Sequence, residues 1–90
     1  MGNQVFVNPE EIDVFINEIR VFLETLNSST NRLNQAFETL SSSWQDRKRA
    51  EFEEQYRELL RVLKMFEHNS EEKIQHLSIL SQKAKDYLNS

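Results

Sequence analysis

His68, Glu72 and His76 are the residues best typed to hold a metal ion. Two histidines eight apart stand about two turns apart on a helix, and neither has another histidine at the spacing of four that lets two rings reach one ion. Glu72 and His76 share a face at that spacing, but one carboxylate–imidazole pair is more often a surface ion pair than a site. The Glu-x-x-His pairs of di-iron bundles are absent from the sequence. Ser41, Ser42 and Ser43 offer hydroxyls without a glycine-flanked elbow or a nearby histidine, so helix capping explains them better than nucleophilic catalysis. Arg47, Lys48 and Arg49 could touch phosphate, yet Glu51, Glu53 and Glu54 follow at once and make the segment a mixed, solvated face. One glycine in 90 residues rules out a glycine-rich phosphate loop. The chain is therefore expected to be no enzyme and to need no cofactor or metal.

What remains is Trp44, the only tryptophan, at the midpoint of the chain in Trp44-Gln45-Asp46. A large aromatic at such a place ordinarily caps the end of a core. It can also line a docking surface.

The elements that place Trp44 are two long helical patterns. The first has a clear start: Asn8 suits the N-cap, Pro9 the first helical position, Glu11 the third, and Val7 with Ile12 the two ends of a hydrophobic staple. Val5, Phe6 and Val7 are expected to pack on that helix end. Apolar residues then recur at sevens, with Ile12, Ile19, Leu26, Leu33 and Leu40 in one row. Ile16, Leu23, Thr30, Phe37 and Trp44 make a second row, and Phe15, Phe22, Ser29 and Ala36 a third. This is a wide stripe of coiled-coil-like period. It predicts a helix over about 9–42, continuous through the poor helix formers Asn27 to Asn31.

The second pattern runs Phe52, Tyr56, Leu59, Leu63, Phe66, Ser70, Lys73, Leu77, Leu80, Ala84 and Tyr87, in steps of four and three. Sevens counted from Ile12 fall on Arg47 and Glu54, so the phase slips between Trp44 and Phe52 and a turn belongs there. With Ser43 as N-cap and Asp46 three residues on, the second helix is expected over about 44–88, after a turn at about 43. His68-Asn69-Ser70 is a candidate kink. The expected fold is all-α, a hairpin of two long helices forming one domain over residues 1–90.

A two-helix hairpin buries only the strip each helix turns to the other. Both stripes here are wider than that, and small chains often need a partner to bury enough apolar area. Two hairpins pairing into a four-helix bundle would supply it. Ile12, Ile19, Leu26, Leu33, Phe37, Leu40, Phe52, Leu59, Leu63 and Phe66 are the expected hairpin or dimer core. Net charge is −4, which argues against nucleic acid and anionic membranes as main partners. No cysteine is present, so there is no thiolate chemistry or disulfide. No apolar run reaches the roughly 18 residues that span a membrane, so no membrane insertion is expected. The start of the chain lacks the basic and long apolar segments of a cleaved signal peptide.

With its length, acidic charge, central Trp44 and Phe52 eight residues beyond, the chain resembles the WXG-motif family of small type VII secretion substrates, the ESAT-like proteins. The resemblance covers nearly the whole chain. Asp46 stands where the family has glycine, making this a Trp-x-Asp variant. Tyr87 is placed for the family's tail signal, Tyr-x-x-x-Asp/Glu, whose acidic position falls one residue past Ser90. The resemblance implies an antiparallel dimer with itself or a related hairpin, and secretion without a cleaved signal peptide. It also implies a type VII export ATPase or a larger effector as partner, with Trp44, Asp46 and Tyr87 as docking residues. The alternative is a cytoplasmic adaptor or assembly module that is not secreted.

Overall fold

A computed structural model describes residues 7–89. Val5, Phe6 and Ser90, which figure in the expectations above, lie outside this range, and Val7 is exposed. Two helices, α1 (Pro9–Ser43) and α2 (Lys48–Leu88), fold back on each other as an antiparallel hairpin, with no strand among the described residues. The molecule measures 67 × 21 × 17 Å.

α1 begins as its sequence requires. Asn8 is extended, its side-chain oxygen accepts from the Glu10 N–H at 2.9 Å, and Pro9 follows. These meet one of the orphan donors of the first turn at no cost to Pro9, which has no N–H to satisfy. The helix runs unbroken through Asn27–Asn31, where the Thr30 hydroxyl donates to the Leu26 carbonyl at 2.7 Å. α2 is likewise continuous through His68-Asn69-Ser70.

The turn differs from the expectation. α1 continues through Ser43, and α2 starts at Lys48 rather than at 44. Ser43 is no N-cap: its hydroxyl donates backward to the Leu40 carbonyl at 3.2 Å. Ser42 does the same to Thr39 at 2.8 Å. Ser42 and Ser43 belong to the last turn of α1, and α2 begins only at Lys48, so neither stands where an N-cap of α2 must. Trp44 is extended and closes α1 through its N–H to the Ser41 carbonyl. Asp46 takes over the capping: its side chain accepts from the Lys48 N–H at 2.8 Å and its carbonyl from the Arg49 N–H at 3.1 Å.

The buried core sits toward the open end, away from the turn. Ile12, Ile16 and Ile74 form it, with Ile19, Leu23 and Leu77 packed against it. Ile74 is only 1% exposed. The α1 seam steps by three and four from Ile12 through Ile16, Ile19, Leu23, Leu26 and Thr30, then takes Asn34 and Ser41. Leu33 and Leu40, in phase with Ile12 by sevens, are exposed. An α-helix of 3.6 residues per turn drifts about 20° per heptad against a strict repeat of seven, so the inward row moves on by one residue halfway along α1. On α2 the inward row is Glu53, Tyr56, Leu60, Leu63, Glu67, Ser70, Ile74, Leu77, Ser81 and Ala84. Tyr56, Leu63, Ser70, Leu77 and Ala84 match the expected stripe. Phe52, Leu59, Phe66 and Leu80 instead lie beside it, exposed. α2 overhangs α1 at the open end, since Ser81 already reaches the Pro9 carbonyl.

Candidate functional site

Two features stand out as candidates: the turn around Trp44 and one long apolar face. At the turn the rings are arranged in series. Tyr56 is buried, and its ring stacks on Phe37 with centroids 4.4 Å apart. Phe37 also meets Phe52 at 6.0 Å, and Phe52 meets Trp44 at 5.7 Å. Trp44 is thus half-buried and ends the aromatic row, as a core cap does. Its remaining surface, with Leu40, Ser43 and Phe52, lines an open apolar hollow of about 540 Å³. One residue here serves both as cap and as exposed surface.

The Tyr56 hydroxyl donates to the Asn34 side-chain oxygen. A buried phenol needs such a partner. This bond accounts for a polar residue at the seam position that a leucine would otherwise fill. Below it, Arg49 Nε donates to the Ser41 hydroxyl oxygen at 2.8 Å, tying the start of α2 to the end of α1. Arg49 also lies 3.9 Å from Glu53. The basic run is therefore partly engaged within the turn.

The apolar face continues from the hollow along one side of the hairpin. On α1 it carries Phe15 and Phe22, 57% and 55% exposed, with Leu33 and Leu40. On α2 it carries Phe52, Leu59, Phe66 and Leu80. Phe22 and Phe66 touch edge to face at 6.0 Å across the helices, which places both helices' exposed rings on the same side. Beside them a second apolar groove of about 460 Å³ runs between Phe15, Phe22, Phe66 and Leu77, with Glu18 and Lys73 at its rim. Of the expected core set, Ile12, Ile19, Leu26, Phe37 and Leu63 fall in the seam within one hairpin. Leu33, Leu40, Phe52, Leu59 and Phe66 fall on this outer face.

Tyr87 stands apart from Trp44 and Asp46. It is exposed near the end of α2, roughly 60 Å along that helix from the turn at 1.5 Å per residue. No single hairpin brings the two together.

The open end holds a cluster that the spacing within either helix did not signal. Ser81 is 2% exposed, and its hydroxyl lies 2.7 Å from an Asp13 carboxylate oxygen and 3.4 Å from the Pro9 carbonyl. A hydroxyl has one proton, and the charged acceptor takes it. The other Asp13 oxygen accepts from Lys85 Nζ at 2.8 Å. The hydrogen bonds from Lys85, then Ser81, hold the Asp13 carboxyl below the usual carboxylate range, while the bond to Asp13 pushes the Lys85 ammonium up. Pairing the two helices antiparallel on paper, with Trp44 at the bend, would have set Asp13 near Lys85. That opposite-charge pair was the available signal.

His68 Nε2 lies 3.6 Å from a Glu72 carboxylate oxygen, with both side chains exposed. Among the described residues no three His, Asp or Glu side chains are grouped to hold a metal ion. No described helix is long and apolar enough to cross a membrane. Among the described residues, the hollow by Trp44 and the groove by Phe22 and Phe66 are lined mainly by apolar side chains.

Fold and site together describe a two-helix hairpin with an uncovered apolar face. Comparison with known proteins adds no relative: no family model, no curated protein and no solved structure matches the chain.

Proposed function

We propose that this is a non-enzymatic hairpin protein that acts by recognition, in the manner of the type VII secretion substrates it resembles. In this reading it pairs with another hairpin through its apolar face. It is exported folded, or serves as partner or carrier for a larger effector. The observation that carries the reading is the placement of Trp44, which ends the aromatic row at the turn and still lines an open hollow continuous with the exposed face. Asp46 supports the turn in place of the family glycine, because its side chain caps Lys48 and leaves the bend intact.

The separation of Trp44 and Tyr87 also fits this reading. In an antiparallel pair the turn of one hairpin lies beside the α2 tail of the other, so an export motor would meet both residues on one composite surface. The test is secretion by a host that carries a type VII apparatus. The intact chain is expected in the culture supernatant without lysis markers, and Trp44→Ala is expected to reduce export at least tenfold while helicity and pairing persist. Export of the variant at the parental level would remove the proposed role of Trp44. Retention of the parental chain in the cell would instead favour the intracellular adaptor or assembly module.

A further inference from the structure

We propose that the groove beside Phe22 and Phe66 binds a single-chain zwitterionic amphiphile. Its cationic group would lie on the α1 rim, its anionic group on the α2 rim and its alkyl chain along the apolar floor. Such a site goes beyond the export reading and does not depend on it. The groove holds about 460 Å³, within the range of about 300–1,000 Å³ at which small molecules are bound. Small-molecule sites combine an apolar lining with a few polar groups that fix orientation. Here the polar groups are Glu18 on α1, with Ser70 and Lys73 on α2. Neither Glu18 nor Lys73 takes part in an ion pair or side-chain hydrogen bond among the described residues, in contrast to Arg57, Arg61 and Lys85.

The two rims carry opposite charges at one level. Phe22 touches Phe66 across the helices, and Asp13 meets Ser81 nearer the open end. Glu18 lies just under halfway between these contacts on α1, and Lys73 just under halfway on α2. On the α1 rim the Glu18 carboxylate stands between two exposed rings, Phe15 and Phe22. A carboxylate beside aromatic rings suits a quaternary ammonium, which the ring faces also attract. On the α2 rim the Lys73 ammonium and the half-buried Ser70 hydroxyl, about one turn apart, are donors suited to a phosphate. A purely anionic head would face Glu18, and a purely cationic one would face Lys73. Only a head carrying both charges meets its opposite on each rim. The apolar floor runs lengthwise, because Phe66 is followed toward the turn by Leu59 and Phe52, both exposed on the same side. That shape suits an extended chain rather than a compact body.

The probes are alkylphosphocholines below their critical micelle concentration, titrated calorimetrically into dilute chain, since a paired hairpin would compete for Phe22 and Phe66. One saturating site per hairpin is expected for decylphosphocholine. A buried methylene is worth about fourfold in affinity, and about twofold where the groove covers one side of it, so the step from octyl to decyl should tighten binding about fourfold. Glu18→Gln and Lys73→Gln change exposed side chains that the fold does not use, and each should weaken decylphosphocholine about threefold. Decyltrimethylammonium should instead bind Lys73→Gln better than the parent, a reversal that a merely structural effect would not produce. Trp44 stands roughly 30 Å from Phe22 along α1 at 1.5 Å per residue, so its emission should stay unchanged. Absence of saturable heat below the micelle concentration, or equal affinity of the parent and both variants, would overturn the proposal. A shift of Trp44 emission that follows binding would place the ligand in the hollow at the turn and overturn it as well. No secretion host enters these titrations, so failed export leaves the groove assignment standing, and failed binding leaves the export reading standing.

Discussion

At the open end, Ile12, Ile16 and Ile74 interlock, and Asp13, Ser81 and Lys85 bind across the last turns. At the turn end, Phe37, Tyr56, Phe52 and Trp44 lie ring against ring, with Phe52 exposed and Trp44 half-buried. The covalent connection explains the contrast. Four residues join α1 to α2, so proximity at the turn is set by a short loop, whose closure entropy is small. Nothing covalent holds the other ends together. There the helices meet only if side chains bury well, and β-branched residues with a polar clasp do that. The turn end is under no such demand, and its aromatic surfaces stay partly exposed.

Three changes break or sharpen that contrast, and each is best measured at one fixed chain concentration, because any association would add to apparent stability. The largest effect is expected for Ile74→Ala. A fully buried aliphatic cut to Ala costs about 2–5 kcal/mol, read as a lower urea midpoint. Hydrogen exchange should quicken first at the open end. An equal quickening of the turn-end amides would show that the two ends are not separately held.

A smaller effect is expected for Tyr56→Phe. The stack on Phe37 is kept, but Asn34 loses its donor, a change of about 1 kcal/mol for a hydrogen bond of this kind. The turn-end amides should respond most. If the urea midpoint were unchanged, the Asn34 bond would not be what places a polar residue in the seam.

The smallest effect concerns the clasp, whose charged groups are exposed. Asp13 has its carboxyl pKa lowered by folding. Its contribution is therefore present above the ordinary carboxylate range and is lost as pH falls through the lowered value. Lys85 has its pKa raised, so its contribution is complete below the ordinary lysine range and is lost only as strong base passes the raised value. The clasp is thus fully formed across neutral pH. The gap in melting temperature between the parent and Asp13→Asn should be small, widest near neutrality, and vanish in acid. A gap independent of pH would mean that the charge does not contribute.

Much of this molecule is legible without coordinates. Asn8, Pro9 and the repeats of seven define the first helix from its own residues, because capping and amphipathic period are local. The phase slip beyond Trp44 reveals the bend for the same reason. The turn itself was less legible. Ser43 and Asp46 both suit an N-cap, and the role fell to Asp46 because α1 runs on through Ser43 and α2 starts two residues after Asp46.

What the sequence by itself determined is two helices, their bend and a stripe on each too wide for one partner. Which half of each stripe turns inward was decided by tertiary structure. Phe52, Leu59 and Phe66 share their period with Glu53, Leu60 and Glu67, one residue away, so periodicity cannot choose between the rows. Contacts between residues far apart in the chain choose it: Ser81 on Asp13, Tyr56 on Asn34 and Ile74 against Ile12 and Ile16. These rotate α2 so that its aromatic row lies outside. A period defines a face only to within a residue or so, whereas a cross-helix contact defines the rotation, and here that rotation left the apolar face uncovered.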